Sequence, residues 1–238
     1  MKQLVLDLIP APIPTFENFV TGRNAEALHP LKCLGRNAST GAAFGAFAAD
    51  EISEKFSKIV YLWGEAGSGK THLLRALKGI ANTFFLSSTD LQNEIPEAGC
   101  YAIDNVQCLT DIEQVGLFNL INRVNQPDGT SRLVACGNIA PRDLPLRPEL
   151  SSRLGSGLVF QLHPLSDAEK IAALRAHAKT RSFTLREEVI TYLLRHARRD
   201  MASLIAMLDT LDQHSLETGR EITLPLLREV LQPTLPTI

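Results

Sequence analysis

The chain has 238 residues, 45% of them hydrophobic and 21% charged, with a net charge of −2 and an isoelectric point near 6.3. This is an ordinary globular balance, long enough to bury a core without metal or disulfide staples and to carry a second, smaller domain. It excludes a strongly basic nucleic-acid binder, and no apolar run approaches a membrane span, so no membrane association is expected. Cys33, Cys100, Cys108 and Cys136 lack C-x-x-C spacing, and the histidines complete no ligand set. Cys100 and Cys136 lie in apolar runs and read as small hydrophobes. Reduced thiols suit the cytoplasm, and Asp7, Pro10, Pro12 and Pro14 break the N-terminal apolar stretch before it could be a signal segment. A cytoplasmic protein is expected.

In chain order, residues 1–14 form a proline-stiffened extended tail. Extended, the tail puts Leu4, Leu6 and Leu8 on one side behind the polar Gln3, a spacing equally suited to a groove-binding peptide and to an edge strand. Over residues 15–163, short apolar runs alternate with helical patterns, which predicts an α/β domain with a parallel sheet. The five candidate strands are Ile59–Trp63, Thr83–Leu86, Cys100–Ile103, Leu133–Cys136 and Leu158–Leu162, each too uniformly apolar to face water on either side. A short helix opens at Pro148.

From 164 to 238 the pattern is helical only. Ser166 and Glu169 form a capping box for a helix reaching about Arg181, and a second helix covers about Arg186 to Ala197. A third spans about Met201 to Leu216, with Leu204, Met207, Leu208 and Leu211 on one face and Gly219 past its end. Thr223 caps a fourth, with Pro225 in its first turn. The C-terminal domain is thus a small helical bundle.

Between the first candidate strand and a helical stretch stands Gly64-Glu65-Ala66-Gly67-Ser68-Gly69-Lys70-Thr71, a full G-x-x-x-x-G-K-[ST] phosphate loop. Its glycines let backbone N–H groups converge on phosphate oxygens at the positive end of the next helix. Lys70 reaches the β- and γ-phosphates in this arrangement, and the Thr71 hydroxyl holds Mg²⁺. Asp104, closing the strand Cys100–Ile103, fits the second, Walker B position, facing the same ion through water. Asn105 follows where hydrolytic P-loop ATPases of this type carry a carboxylate; an amide is no base at neutral pH, so slow turnover is expected. Asn105 also suits an Asx turn. Asn138, just past Leu133–Cys136, stands where a polar sensor would touch the γ-phosphate, and is equally a favoured turn residue.

With these motifs on the page, the chain resembles the AAA+ domain of the initiator DnaA. The matching pieces are Thr15-Phe16-Glu17-Asn18-Phe19-Val20-Thr21-Gly22, then Gly69-Lys70-Thr71-His72-Leu73-Leu74, then Ser152-Arg153-Leu154 before Gly155, and Glu221-Ile222-Thr223 through Leu231. No counterpart of the DNA-binding domain that follows the lid in DnaA is present, so a member of the Hda family, without a direct DNA-binding domain, is expected. The resemblance implies ADP or ATP with Mg²⁺ as cofactors and His72 beside the phosphate loop. It implies Arg153 as an arginine finger acting in trans on ATP bound to DnaA; the alternative for Arg153 is a helix-terminal arginine pairing locally. Gln3-Leu4-Val5-Leu6-Asp7-Leu8 is similar to peptides that bind the DNA polymerase III sliding clamp. DnaA and the clamp are therefore the expected partners, a homo-oligomer remains open, and the expected role is repression of replication re-initiation. The family's sensor 2 arginine aligns with Ala202, with Arg198 one turn earlier and Arg199 beside it as substitutes or as a solvated pair. The competing readings are an active ATPase of the helicase-loader or transposition-helper type and a small-molecule kinase.

Overall fold

The computed structural model describes residues 13–36, 57–80, 82–126, 131–197 and 200–231. Two compact units meet at Pro164 in the chain, one of residues 14–164 and one from Leu165 onward.

The first unit is built on five parallel strands: β1 (Ile59–Trp63), β2 (Thr83–Leu86), β3 (Cys100–Ile103), β4 (Arg132–Gly137) and β5 (Leu158–Gln161). Their spatial order is β2-β3-β4-β1-β5. Parallel neighbours require crossovers, and the helices among the described residues are α1 (Ala25–Arg36), α2 (Lys70–Ala76), α3 (Asp111–Val124) and α4 (Pro148–Gly155). Both faces of the sheet are covered. Tyr61, Tyr101, Ile103, Leu133 and Ala135 pack with Leu117, Leu120 and Ile121 of α3 and Leu150 and Leu154 of α4. The alternate residues Val60, Leu62, Ala102, Val134 and Cys136 pack on the other face with Leu28 and Leu31 of α1 and Leu73 and Leu74 of α2. Double coverage is why the central strands read as unbroken apolar runs.

β4 is longer than its apolar run by a residue at each end, because Arg132 pairs with Cys100 and Gly137 with Trp63. Ladder bonds belong to the backbone, and side-chain polarity at a strand end does not stop them.

Helix starts follow the caps. Thr110 opens α3 with Thr110 N and Oγ1 both donating to Glu113 Oε2 at 2.8 Å. These bonds hold the Glu113 carboxyl below its usual range.

The second unit holds α5 (Asp167–Thr180), α6 (Glu187–His196), α7 (Met201–Thr218) and α8 (Leu224–Leu231). Ser166 N donates to Glu169 Oε2 at 2.7 Å and Glu169 N to Ser166 Oγ at 3.3 Å, the capping box of α5. α7 runs two residues past Leu216 because a left-handed Gly219, at φ 64°, ends it rather than the last apolar side chain. Leu174, Val189, Ile190, Leu193, Leu204, Leu208, Leu211, Leu226 and Leu227 form its core. Beside the core, Asp209 Oδ1 meets His177 Nε2 at 2.7 Å and Arg181 Nε at 3.0 Å, and Arg181 Nη1 meets Asp212 Oδ2 at 3.2 Å. This partly buried network ties the end of α5 to α7.

Asn24 binds the entry of the first unit to its exit. It is 3% exposed, donates Nδ2 to His163 O at 2.9 Å and accepts His163 N on Oδ1 at 2.8 Å. Asn24→Ala leaves the part-buried N–H and C=O of His163 without these partners, so a loss of about 1–3 kcal/mol in unfolding free energy is expected, read as a lower urea midpoint at unchanged slope.

Candidate functional site

The phosphate loop leaves β1 at Gly64 and enters α2 at Lys70. Two glycines are there for distinct reasons. A Cβ on Gly64 would lie 2.2 Å from the carbonyl oxygen of Leu162, so only a glycine lets the loop start so near the chain leaving β5. Gly69 has φ 99°, and a Cβ there would also meet the Phe19 ring at 2.7 Å. Between them Ser68 is buried, while Glu65, Ala66 and Gly67 are exposed.

Lys70 folds back over the loop, its Nζ donating to Gly64 O at 2.7 Å and Glu65 O at 2.8 Å. Burial lowers the pKa of its ammonium, while Cys136 and Asp104 work in the opposite sense. Burial also pushes the Cys136 thiol well up, so it is neutral at physiological pH and Asp104 is the working counter-charge. Thr71 Oγ1 donates to Asp104 Oδ2 at 2.7 Å. That bond joins the first turn of α2, which follows β1, to the end of β3, although β4 separates those two strands. The other Asp104 oxygen, Oδ1, accepts Asn105 N at 2.9 Å.

Asn105 is left-handed, at φ 54° and ψ 43°, which turns the chain out of β3 into a short 3₁₀ turn. Gln107 Nε2 donates to Asn105 Oδ1 at 3.3 Å. The turn expected at Asn105 is thus present, and its amide oxygen is engaged by Gln107. Asn138 is exposed just past β4. The loop behind it is anchored by Tyr61, whose Oη donates to Ile139 O at 2.9 Å. Burial pushes the Tyr61 phenol up, keeping it a donor. His72 Nε2 lies 3.0 Å from Thr15 O, and its ring packs tilted against Phe19. Burial lowers the His72 pKa against the effect of that bond, favouring a neutral imidazole.

Lys70, Thr71, Asp104 and Asn105 thus come together at the carboxyl ends of β1 and β3, where open α/β sheets bind their ligands. Arg153 stands on α4 instead. Its Nη1 donates to Asn122 Oδ1 at 2.6 Å, and its guanidinium lies 4.6 Å from the centre of the Phe118 ring, both residues of α3. Among the described residues no carboxylate pairs with it. The local pairing open from the sequence is real, but its partners are an amide and a ring, and they leave the charge unspent.

Gln3, Leu4, Leu6 and Leu8 lie outside the described residues. Ala202 is exposed at the second position of α7. Asp200 caps that helix, accepting Ser203 N at 2.9 Å, and Arg198 and Arg199 fall outside the described residues. The sequence reading did not single out Tyr61, Gln107, Phe118 or Asn122. The last two carry a signal: a ring and an amide four residues apart on one helix face.

The five-stranded parallel sheet with its helical covering and separate helical unit is the AAA+ fold. It superposes on domain III of the Thermotoga maritima replication initiation protein DnaA with a TM-score of 0.64 at 21% identity, over 94% of this chain and 100% of that one. AMPPCP-bound DnaA from Aquifex aeolicus gives 0.65 at 20% identity, over 90% and 68%. A Thermotoga maritima RuvB variant gives 0.63 at 14%, over 93% and 72%. At these identities the likeness carries the fold alone. The helical unit is more specific. The chain has the AAA+ fold, and its residues 167–231 match the lid domain of the Hda family.

Proposed function

We propose that this chain is a DnaA-related regulator that binds ADP or ATP with Mg²⁺ and, tethered to the sliding clamp, presents Arg153 to ATP held by DnaA, so repressing re-initiation in the cytoplasm. The observation that carries the reading is the unspent charge of Arg153, seated on α3 with no carboxylate among the described residues to neutralise it. A guanidinium so held keeps N–H donors for the oxygens of a phosphate on another molecule. Such a finger supplied in trans is worth on the order of 10³–10⁵ in rate in GTPase systems. The Hda-type lid and the DnaA-like fold agree with a partner of the same class. The leucine pattern of Gln3, Leu4, Leu6 and Leu8 supports the tether.

The resident site fits a nucleotide. Lys70 is held by two carbonyls that phosphate oxygens can replace, and Thr71 and Asp104 already meet where Mg²⁺ would sit. Among the described residues no three His, Cys, Asp or Glu converge, so the ion would take its remaining oxygens from phosphate and water. A bound nucleotide with its ion supplies the phosphate charge that Lys70 and the loop N–H groups would neutralise. Asn105, with its Oδ1 engaged by Gln107, offers no base to a water.

Lys70→Ala removes the charge facing the phosphates, so a weaker Mg²⁺–ADP affinity, by about tenfold or more, is expected from calorimetry. Equal affinity in both proteins would remove Lys70 from the site. Steady-state turnover of ATP by the isolated chain is expected far below about 1 s⁻¹, the lower edge of working phosphotransfer enzymes. A rate above that would favour the active-ATPase reading. Arg153→Ala should leave ADP affinity unchanged and abolish stimulated hydrolysis by DnaA in the presence of DNA-loaded clamp, whereas Arg153→Lys should restore little, because a point charge cannot reproduce the planar fork. Full stimulation by the alanine variant would overturn the trans mechanism.

A further inference from the structure

We propose that Gln114 is a positioning residue for Arg153: its buried amide locks the start of α4 to α3 and so sets where the guanidinium at the other end of α4 is presented. The proposal rests on the finger reading above.

Gln114 is 5% exposed, and both ends of its amide are used. Nε2 donates to Leu109 O at 3.2 Å, and Oε1 accepts Arg147 N at 2.9 Å. Arg147 is the N-cap of α4, and it has no side-chain cap of its own. Gln114, Phe118 and Asn122 lie at i, i+4 and i+8, one row along a face of α3. The row meets α4 at both ends: Gln114 at the cap, Phe118 and Asn122 at Arg153, so α3 and α4 run in the same sense.

α4 needs such a lock. It spans eight residues, too few to hold its own direction by backbone bonding. Leu150 and Leu154 seat it in the core, but apolar burial is non-directional and permits sliding and rolling. The bond from Arg147 N to the buried Gln114 side chain is directional and partly shielded from water, so it resists both motions. Six residues separate Arg147 from Arg153, about 9 Å of helix rise, so a small tilt at the cap moves the guanidinium by an amount that matters for catalysis.

Gln114→Leu keeps the bulk and removes both bonds. Gln114→Glu, protonated in this buried place, keeps an acceptor for Arg147 and a donor for Leu109 and serves as the conservative rescue. In the full-length chain, three readouts are taken well below the unfolding temperature: stimulated ATP hydrolysis by DnaA with loaded clamp, ADP affinity, and NMR of the Arg153 guanidinium nitrogens. Gln114→Leu should cut stimulation by about 10- to 100-fold at unchanged ADP affinity, with faster guanidinium rotation as the Asn122 bond loosens. Gln114→Glu should restore most of both, and in an Arg153→Ala background Gln114→Leu should add nothing further. Unchanged Arg153 signals in Gln114→Leu would overturn the proposal, and so would full stimulation by a variant whose Arg153→Ala counterpart is inactive. If Arg153→Ala itself stimulates normally, the finger reading falls, while the guanidinium signals still decide whether Gln114 orders Arg153. If Gln114→Leu does not fold, Gln114→Met is read in the same way.

Discussion

A parallel sheet with helices on both faces forces its polar chemistry to the strand ends, and most of this protein follows from that constraint. The central strands β1, β3 and β4 are buried on both sides, so a polar side chain can serve a ligand only where the chain leaves the sheet. Lys70 and Thr71 follow β1, Asp104 and Asn105 follow β3, and Asn138 follows β4. Because β4 lies between β1 and β3, the acid and the phosphate loop come from strands that are not neighbours. Their meeting at the 2.7 Å bond from Thr71 to Asp104 is a product of strand order, with no shared ladder behind it. The same edge admits the close approach of Gly64 to Leu162, which brings the end of β5 against the start of the loop.

The second charge centre obeys different physics. Lys70 is partly buried, and its charge is favoured by Asp104 against the cost of burial. Arg153, equally part-exposed, instead lies on a seat without opposite charge, an amide and an aromatic face. A carboxylate in that seat would satisfy the guanidinium and spend what a partner's phosphate could use. An amide and a ring hold the geometry without neutralising the charge. One domain thus carries two cations in different settings, one against its own phosphate loop and one against an amide and a ring.

Patterns that depend on neighbours in the chain were legible in the sequence. The phosphate loop between a strand and a helix, the apolar run ending at Asp104, and the capping box of Ser166 and Glu169 are local, and the structure keeps each where its spacing puts it. Boundaries followed the same logic: the third helix of the bundle ends at the left-handed Gly219, although its buried apolar face stops at Leu211. Arg153 was legible as a cation on a short helix, and Asn105 as an amide where a base is usual.

Tertiary structure alone decided what those residues face. No spacing rule connects Asn24 with His163 across 139 positions, or Arg153 with Asn122 across 31, because each pair is made by strands and helices packing, not by chain periodicity. Strand order, which puts β4 between β1 and β3, likewise follows from crossovers that the sequence does not encode locally. Gln114 looked like an ordinary polar residue, since an amide reveals its role only when both its ends find partners in space. By itself the sequence determined the chemistry available: a phosphate loop, an acid, an amide and an outlying arginine. Packing determined which of these meet, because contacts between distant segments depend on how buried faces fit together.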